Sequence, residues 1–258
     1  MPDTIEHRGP HPDDRELFAP ARLPCLREAL ADFSMLLTKG YAEKSSLKLV
    51  GDRFALTQRQ RLAIMRAACS DQQLESRQAR EVPLGTMANQ SIAIDGYNLL
   101  ITIEAALGGG LIFRGRDGCL RDLASIHGTY RRVEETIPAI QLIGEFLMEI
   151  GIGQSLWLLD SPVSNSGRLK TLLGTLARDH GWTWEIRLSI NPDAELSKME
   201  TIVVTTDSVI LDACQKWTNL AAGIIARQLP RTTVIDLCSA MSGPPGVGPS
   251  CHPSEFTG

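Results

Sequence analysis

Three aspartates stand directly after short apolar runs. Ser91-Ile92-Ala93-Ile94 leads into Asp95-Gly96-Tyr97-Asn98. Leu156-Trp157-Leu158-Leu159 leads into Asp160-Ser161-Pro162, and Ile202-Val203-Val204-Thr205-Thr206 into Asp207-Ser208. If the runs are parallel strands of one sheet, all three carboxylates fall on its carboxyl edge, where open α/β sheets hold their ligands. Carboxylates gathered there repel one another, and a cation or a raised pKa must relieve them. An all-oxygen set suits Mg²⁺ or Mn²⁺. A metal so held can orient a phosphodiester, activate water and stabilise the leaving oxygen. The plainer reading of any one such aspartate is a helix cap or the start of a turn. Three of them weigh against that reading, because chance would have to place each on the same edge. Asp95 stands out, since Gly96 permits a tight turn and Asn98 offers another oxygen.

A second polar segment follows the middle run. Ser161, Ser164, Ser166 and Arg168 lie between a strand and a helix start. Backbone N–H groups, hydroxyls and the guanidinium would together cradle a phosphate. The spacing is not that of a P-loop, and simple capping by Ser164 or Ser166 accounts for the segment equally well. Gly108-Gly109-Gly110 follows a helix and fails the dinucleotide pattern. No serine sits in a G-x-S-x-G elbow. His127 and Tyr130 fall in an expected helix and read as structural, and the four tryptophans read as core or interface.

The elements around these residues divide the chain. Residues 1–24 hold five prolines and are expected to form an extended arm. Residues 25–82 read as a small helical domain. Leu26, Ala29, Leu30, Phe33, Leu36 and Leu37 recur at helical spacing and predict a helix ended by Gly40. A second helix is expected over 58–69, capped by Thr57, with a short one over 70–80. Pro83 and Gly85 mark a linker over 82–89. From 90 to 238, strands near 91–94, 155–159, 183–188, 201–204 and 233–237 alternate with helices near 99–107, 134–150, 167–180 and 208–228, the last broken near Thr218. That alternation predicts a mostly parallel, three-layer α/β domain. Residues 239–258, rich in Gly, Pro and Ser, are expected to be disordered.

The 258 residues carry a net charge of −4, which argues against a protein coated by nucleic acid over its whole surface. The charge is uneven, however. From Lys39 to Arg80, nine basic residues stand against four acidic ones, a local balance that attracts phosphate or serves only as solvated helix faces. No apolar stretch has the roughly 18 residues a membrane span needs, and no secretory signal is read at the start. The six cysteines show no C-x-x-C pair, so zinc is not expected. Free thiols in a reducing, cytoplasmic compartment are.

The run Asp95-Gly96-Tyr97-Asn98 resembles the first-strand motif of the PIN-like nucleases, especially the NYN branch. Thr205-Thr206-Asp207-Ser208 resembles their late-strand Thr-x-Asp motif. The whole chain also resembles an uncharacterised prokaryotic family that joins a small helical N-terminal domain to a PIN/NYN-like C-terminal domain. These resemblances imply an endoribonuclease that uses a few carboxylates with Mg²⁺ or Mn²⁺. Asp95 matches the first carboxylate and Asp207 the late one, and Asp160 is a further ligand. Glu104, Asp117 and Asp122 compete for the helix-borne acid. The loop Arg114–Asp122 favours Asp117 and Asp122 as metal ligands, with Arg116 and Arg121 as phosphate contacts beside Asn98. A solvated loop tied by surface ion pairs explains it as well. Three rivals stay open: a domain that binds nucleotide or RNA without cutting, a metal-dependent phosphatase on a small substrate, and a scaffold with its acidic edge covered.

Overall fold

The computed structural model describes residues 7–124 and 128–239. His127 and the tail beyond Ser239, on which two expectations fell, lie outside the described residues. The N-terminal half is helical: α1 (Asp14–Leu17), a 3-10 turn at Pro20–Arg22, α2 (Leu23–Thr38), α3 (Glu43–Arg53), α4 (Gln58–Ala67) and α5 (Asp71–Arg80). The apolar stripe of α2 buries Leu26, Ala29, Leu30 and Phe33, as its spacing requires. Gly40 ends that segment at φ +80°, a conformation glycine adopts without strain. Thr57 and Ser70 open α4 and α5 with capping boxes closed by Gln60 and Gln73. The first 24 residues are more than an extended arm. They include α1, the 3-10 turn and the start of α2, and Asp14 is pinned by Arg59 at 2.9 Å.

The second half alternates strand and helix: β1 (Ser91–Asp95), α6 (Gly96–Leu107), β2 (Ile112–Arg114), β3 (Leu120–Arg121), α7 (Thr136–Glu149), β4 (Gln154–Asp160), α8 (Ser166–His180), β5 (Trp184–Ser189), α9 (Pro192–Leu196), β6 (Ile202–Val204), α10 (Ser208–Ala213), β7 (Trp217–Thr218), α11 (Leu220–Gln228) and β8 (Val234–Asp236). Five strands form one parallel sheet in the order β5-β4-β1-β6-β7. The strands divide their side chains between two cores. Ile92, Ile94, Trp157, Leu159, Ile202 and Val204 enter one, while Ala93, Leu158 and Val203 enter the other. That period of two, apolar on both sides, makes a three-layer domain.

Two corrections concern connectivity. The expected strand at 233–237 does not join the main sheet. As β8 it pairs with β2 in a separate sheet ordered β3-β2-β8. Phe113, Leu123, Ile235 and Leu237 of that region share a core with Leu26, Phe33 and Ile64 of the helices. Residues 82–89 are not a free linker either. The Val82 amide donates to the Trp217 carbonyl at 2.7 Å, and Glu81 bridges to Trp217 in parallel. Tyr130 lies outside any helix. No helix among the described residues is long and apolar enough to cross a membrane. Cys69, Cys119, Cys214 and Cys238 are free thiols.

Candidate functional site

Parallel pairing puts the ends of β4, β1 and β6 side by side, and with them their aspartates. Asp95 is the last residue of β1 and the N-cap of α6, accepting from the Asn98 amide at 3.4 Å. Its other oxygen accepts from the Thr205 hydroxyl at 2.9 Å. Burial pushes the Asp95 carboxyl up to about 7, and the nearby charges of Asp207 and Asp193 push the same way. Asp207 caps α10, accepting from the Val209 amide at 2.8 Å. Asp160 ends β4 and caps no helix, since Asn165 stands at the α8 N-cap position. Burial and then Asp193 raise its pKa. The structure therefore brings Asp95, Asp160 and Asp207 to one edge and adds Asp193 from α9, itself raised by burial and by Asp207. Asp193 escapes a search for aspartates that follow strands directly, because Ile190-Asn191-Pro192 separates it from β5.

The edge is packed closely beneath these acids. A Cβ on Gly96 would stand 2.8 Å from the Leu158 carbonyl and 2.6 Å from a Leu159 methyl, so only glycine fits there. The Asn98 carboxamide oxygen accepts from the Thr206 amide at 2.9 Å and the Thr206 hydroxyl at 3.0 Å. That ties the first turn of α6 to the loop carrying Asp207. Among the described residues no group of three His, Cys, Asp or Glu side chains is placed to hold a metal ion by itself. Mg²⁺ asks for less, since one or two carboxylates with water and a substrate phosphate complete its shell. Asp95 and Asp207 match that donor chemistry.

The 114–122 loop is turned to another use. Asp117 is buried between two guanidiniums, accepting from Arg121 at 2.9 and 2.7 Å and from Arg77 at 2.5 Å. Burial alone would raise its pKa, but Arg121 and Arg77 outweigh it and hold Asp117 down to about 2. Asp117 is thus committed to cations of the protein itself and is not brought to the acidic edge as a metal ligand. Arg121 also donates to the Thr206 carbonyl at 2.7 Å, and Arg116 pairs with Asp71 at 2.7 Å and with the Cys69 carbonyl. Neither arginine is free for phosphate in this arrangement. Asp122 accepts from the Thr102 hydroxyl at 2.9 Å and the Ala124 amide at 2.6 Å. Glu104 is 0% exposed and accepts from Tyr130, Thr136 and Arg8 at 2.5–2.7 Å, a structural clasp.

Neither Ser164 nor Ser166 caps α8. Asn165 holds the N-cap position in a left-handed conformation without capping the helix, and its carboxamide donates instead to the Tyr130 carbonyl at 2.9 Å. The Ser164 backbone pairs with the segment at 128–130, and the buried Ser166 hydroxyl faces the Ser161 carbonyl at 3.5 Å. Ser161 and Arg168 are exposed.

Beside the acidic edge lies a cavity of about 680 Å³. The helical region gives it Phe33, Leu37 and Met65, and the sheet edge gives it Asn98, Thr206 and Asp207. Arg77 also lines it; in the sequence this residue reads only as one more charge on a basic helix.

Residues 84–223, from the turn before β1 into α11, match the family described as a domain of unknown function (DUF5616). Residues 25–80, which span α2 to α5, match a protein of unknown function (DUF434). The chain is similar to the uncharacterized protein MJ0935 of Methanocaldococcus jannaschii, with 31% identity over 186 residues, 72% of this chain and 88% of that relative. No solved structure matches the chain. The chain belongs to the DUF5616 family, in a two-domain form in which a DUF434 region precedes the α/β domain.

Proposed function

We propose that the C-terminal domain is a PIN-like domain of NYN type that hydrolyses phosphodiester bonds in RNA with Mg²⁺ or Mn²⁺. One observation supports this reading above the others. Asp95, Asp160, Asp193 and Asp207 come from four different strand–helix junctions to the carboxyl edge, where the charges of Asp207 and Asp193 raise the pKa of Asp95, Asp193 raises that of Asp160, and Asp207 that of Asp193. Carboxylates that repel one another around the buried Asp95 cost stability until a cation or proton meets them. When bound, the metal would supply charge neutralisation and an activated water. Asp95 and Asp207 would hold it, with Asp160 and Asp193 at the same edge. Thr205 fixes one Asp95 oxygen, and Asn98 fixes the loop that bears Asp207. In the hydrolysis the water oxygen bonds to phosphorus, the bond to the leaving oxygen breaks, and a carboxylate of the set takes the proton.

Calorimetric titration with Mn²⁺ tests the site directly. The wild type should bind, the Asp95→Asn/Asp207→Asn double variant should bind at least about tenfold more weakly, and its cleavage of single-stranded RNA should fall at least about a hundredfold. No Mn²⁺ binding by the wild type, with or without RNA present, would refute the hydrolase. Among the described residues no three carboxylates are placed to hold one metal ion, which favours a second reading, in which the same domain binds RNA or nucleotide without cutting. Retained RNA binding with no cleavage at any metal concentration would establish it.

A further inference from the structure

The cavity beside the acidic edge is built from both halves of the chain, and its chemistry is selective. Its volume, about 680 Å³, is that of a small-molecule site. Phe33, Leu37 and Met65 on the helical side and Ile101 on α6 give it apolar walls. Three arginines line it, yet each is already engaged. Arg77 is paired with Asp117 and Asp212, Arg121 with Asp117 and the Thr206 carbonyl, and Arg66 with the Asp122 and Ala124 carbonyls. Glu43, Asp122 and Asp207 also line it, three acidic residues beside the three arginines. Such a wall carries no excess charge of either sign and accepts an uncharged ring. Asn98 adds a specific handle: its carboxamide oxygen is occupied by Thr206, while its NH₂ group donates to none of the described residues.

We infer that this cavity binds a nucleobase, with the apolar helical wall against the ring and the Asn98 amide donating to a ring acceptor. The lining residues Tyr97, Asn98 and Asp207 belong equally to the acidic edge. A base seated there places its own phosphate toward that edge. The assignment of that phosphate as the one to be cut rests on the hydrolase reading; the base site itself does not. An occupied cavity requires an unstacked base, so the polymer it accepts is single-stranded.

The test is calorimetry of the full chain in EDTA, with the four ribonucleoside 5′-monophosphates and with ribose 5-phosphate. At least one monophosphate should bind, with ribose 5-phosphate at least about tenfold weaker. Leu37→Arg and Met65→Arg, on different helices and both only partly buried, should each weaken the monophosphate at least about tenfold while unfolding cooperatively. Equal binding of the base-free sugar phosphate, or no monophosphate binding by the wild type at millimolar concentrations, would overturn the assignment whatever the variants do. A single-stranded hexaribonucleotide that binds more tightly than the monophosphate identifies RNA as the source of the base, and equal binding identifies a free nucleotide. The parallel Mn²⁺ titration separates the two proposals. Base-dependent binding without Mn²⁺ binding keeps this site and removes the hydrolase; the converse removes only this site.

Discussion

Asp95 serves two opposed demands. As the cap of α6 it favours its charged form through the Asn98 amide, while burial favours the neutral one and prevails. Its pKa rises from 3.8 unfolded to about 7 folded. The folded state therefore holds the proton more tightly, so this stabilising contribution is complete below about pH 4 and is lost as pH rises through 7. Asn cannot ionise and keeps an oxygen for the Thr205 hydroxyl. Asp95→Asn should then be more stable than the wild type at pH 8 by on the order of 3 kcal/mol, with the advantage fading toward pH 4. Thermal unfolding across that range decides it, and a variant less stable at pH 8 would contradict the burial argument. At this scale the sequence showed Asp95, Asp160 and Asp207, because each follows its strand closely. It hid Asp193 behind Pro192 and hid Arg77 as a partner of Asp117, since an ion pair 40 residues apart in sequence leaves no local trace.

Between elements, the β2–β3 hairpin acts as a clamp. Asp117 at its tip joins Arg121 on β3 to Arg77 on α5, and Arg77 reaches on to Asp212 on α10. Arg77 is 1% exposed. Removing one member of a buried pair leaves charge without compensation, so Arg77→Met should cost about 3–5 kcal/mol, read from the urea midpoint. A loss below about 1 kcal/mol would show that Arg121 alone suffices. Asp117 has a lowered folded pKa, so its contribution is present above its unfolded value and is lost as pH falls toward 2. The gap between variant and wild type should narrow over that acid range. The long helices and β1, β4 and β5 were legible from their periodicity and capping residues. α3 and the short β2, β3 and β7 were not. α3 buries only Ser46, Val50 and Gly51, and strands of two or three residues show no period.

For the molecule as a whole, the two matched families are not two separable bodies. Phe113, Leu123, Ile235 and Leu237 are buried against the N-terminal helices. A fragment beginning at residue 84 would expose them, at about 1.5–3 kcal/mol for each side chain, against a typical domain stability of 5–15 kcal/mol. It should lose cooperative unfolding and the fixed near-UV signal of its tryptophans, and a fragment with the native signal would refute the shared core. This dependence was invisible in the sequence, where a change of pattern after residue 82 reads as a domain boundary. The chain crosses that boundary with no slack: Val82 is hydrogen-bonded beside β7, and the Arg77–Asp117 pair ties α5 to the hairpin. The cleft between the halves is therefore held at a fixed width. A small molecule entering it waits for no hinge, so arrival proceeds at a rate set by diffusion and orientation, and discrimination among visitors falls to their residence times.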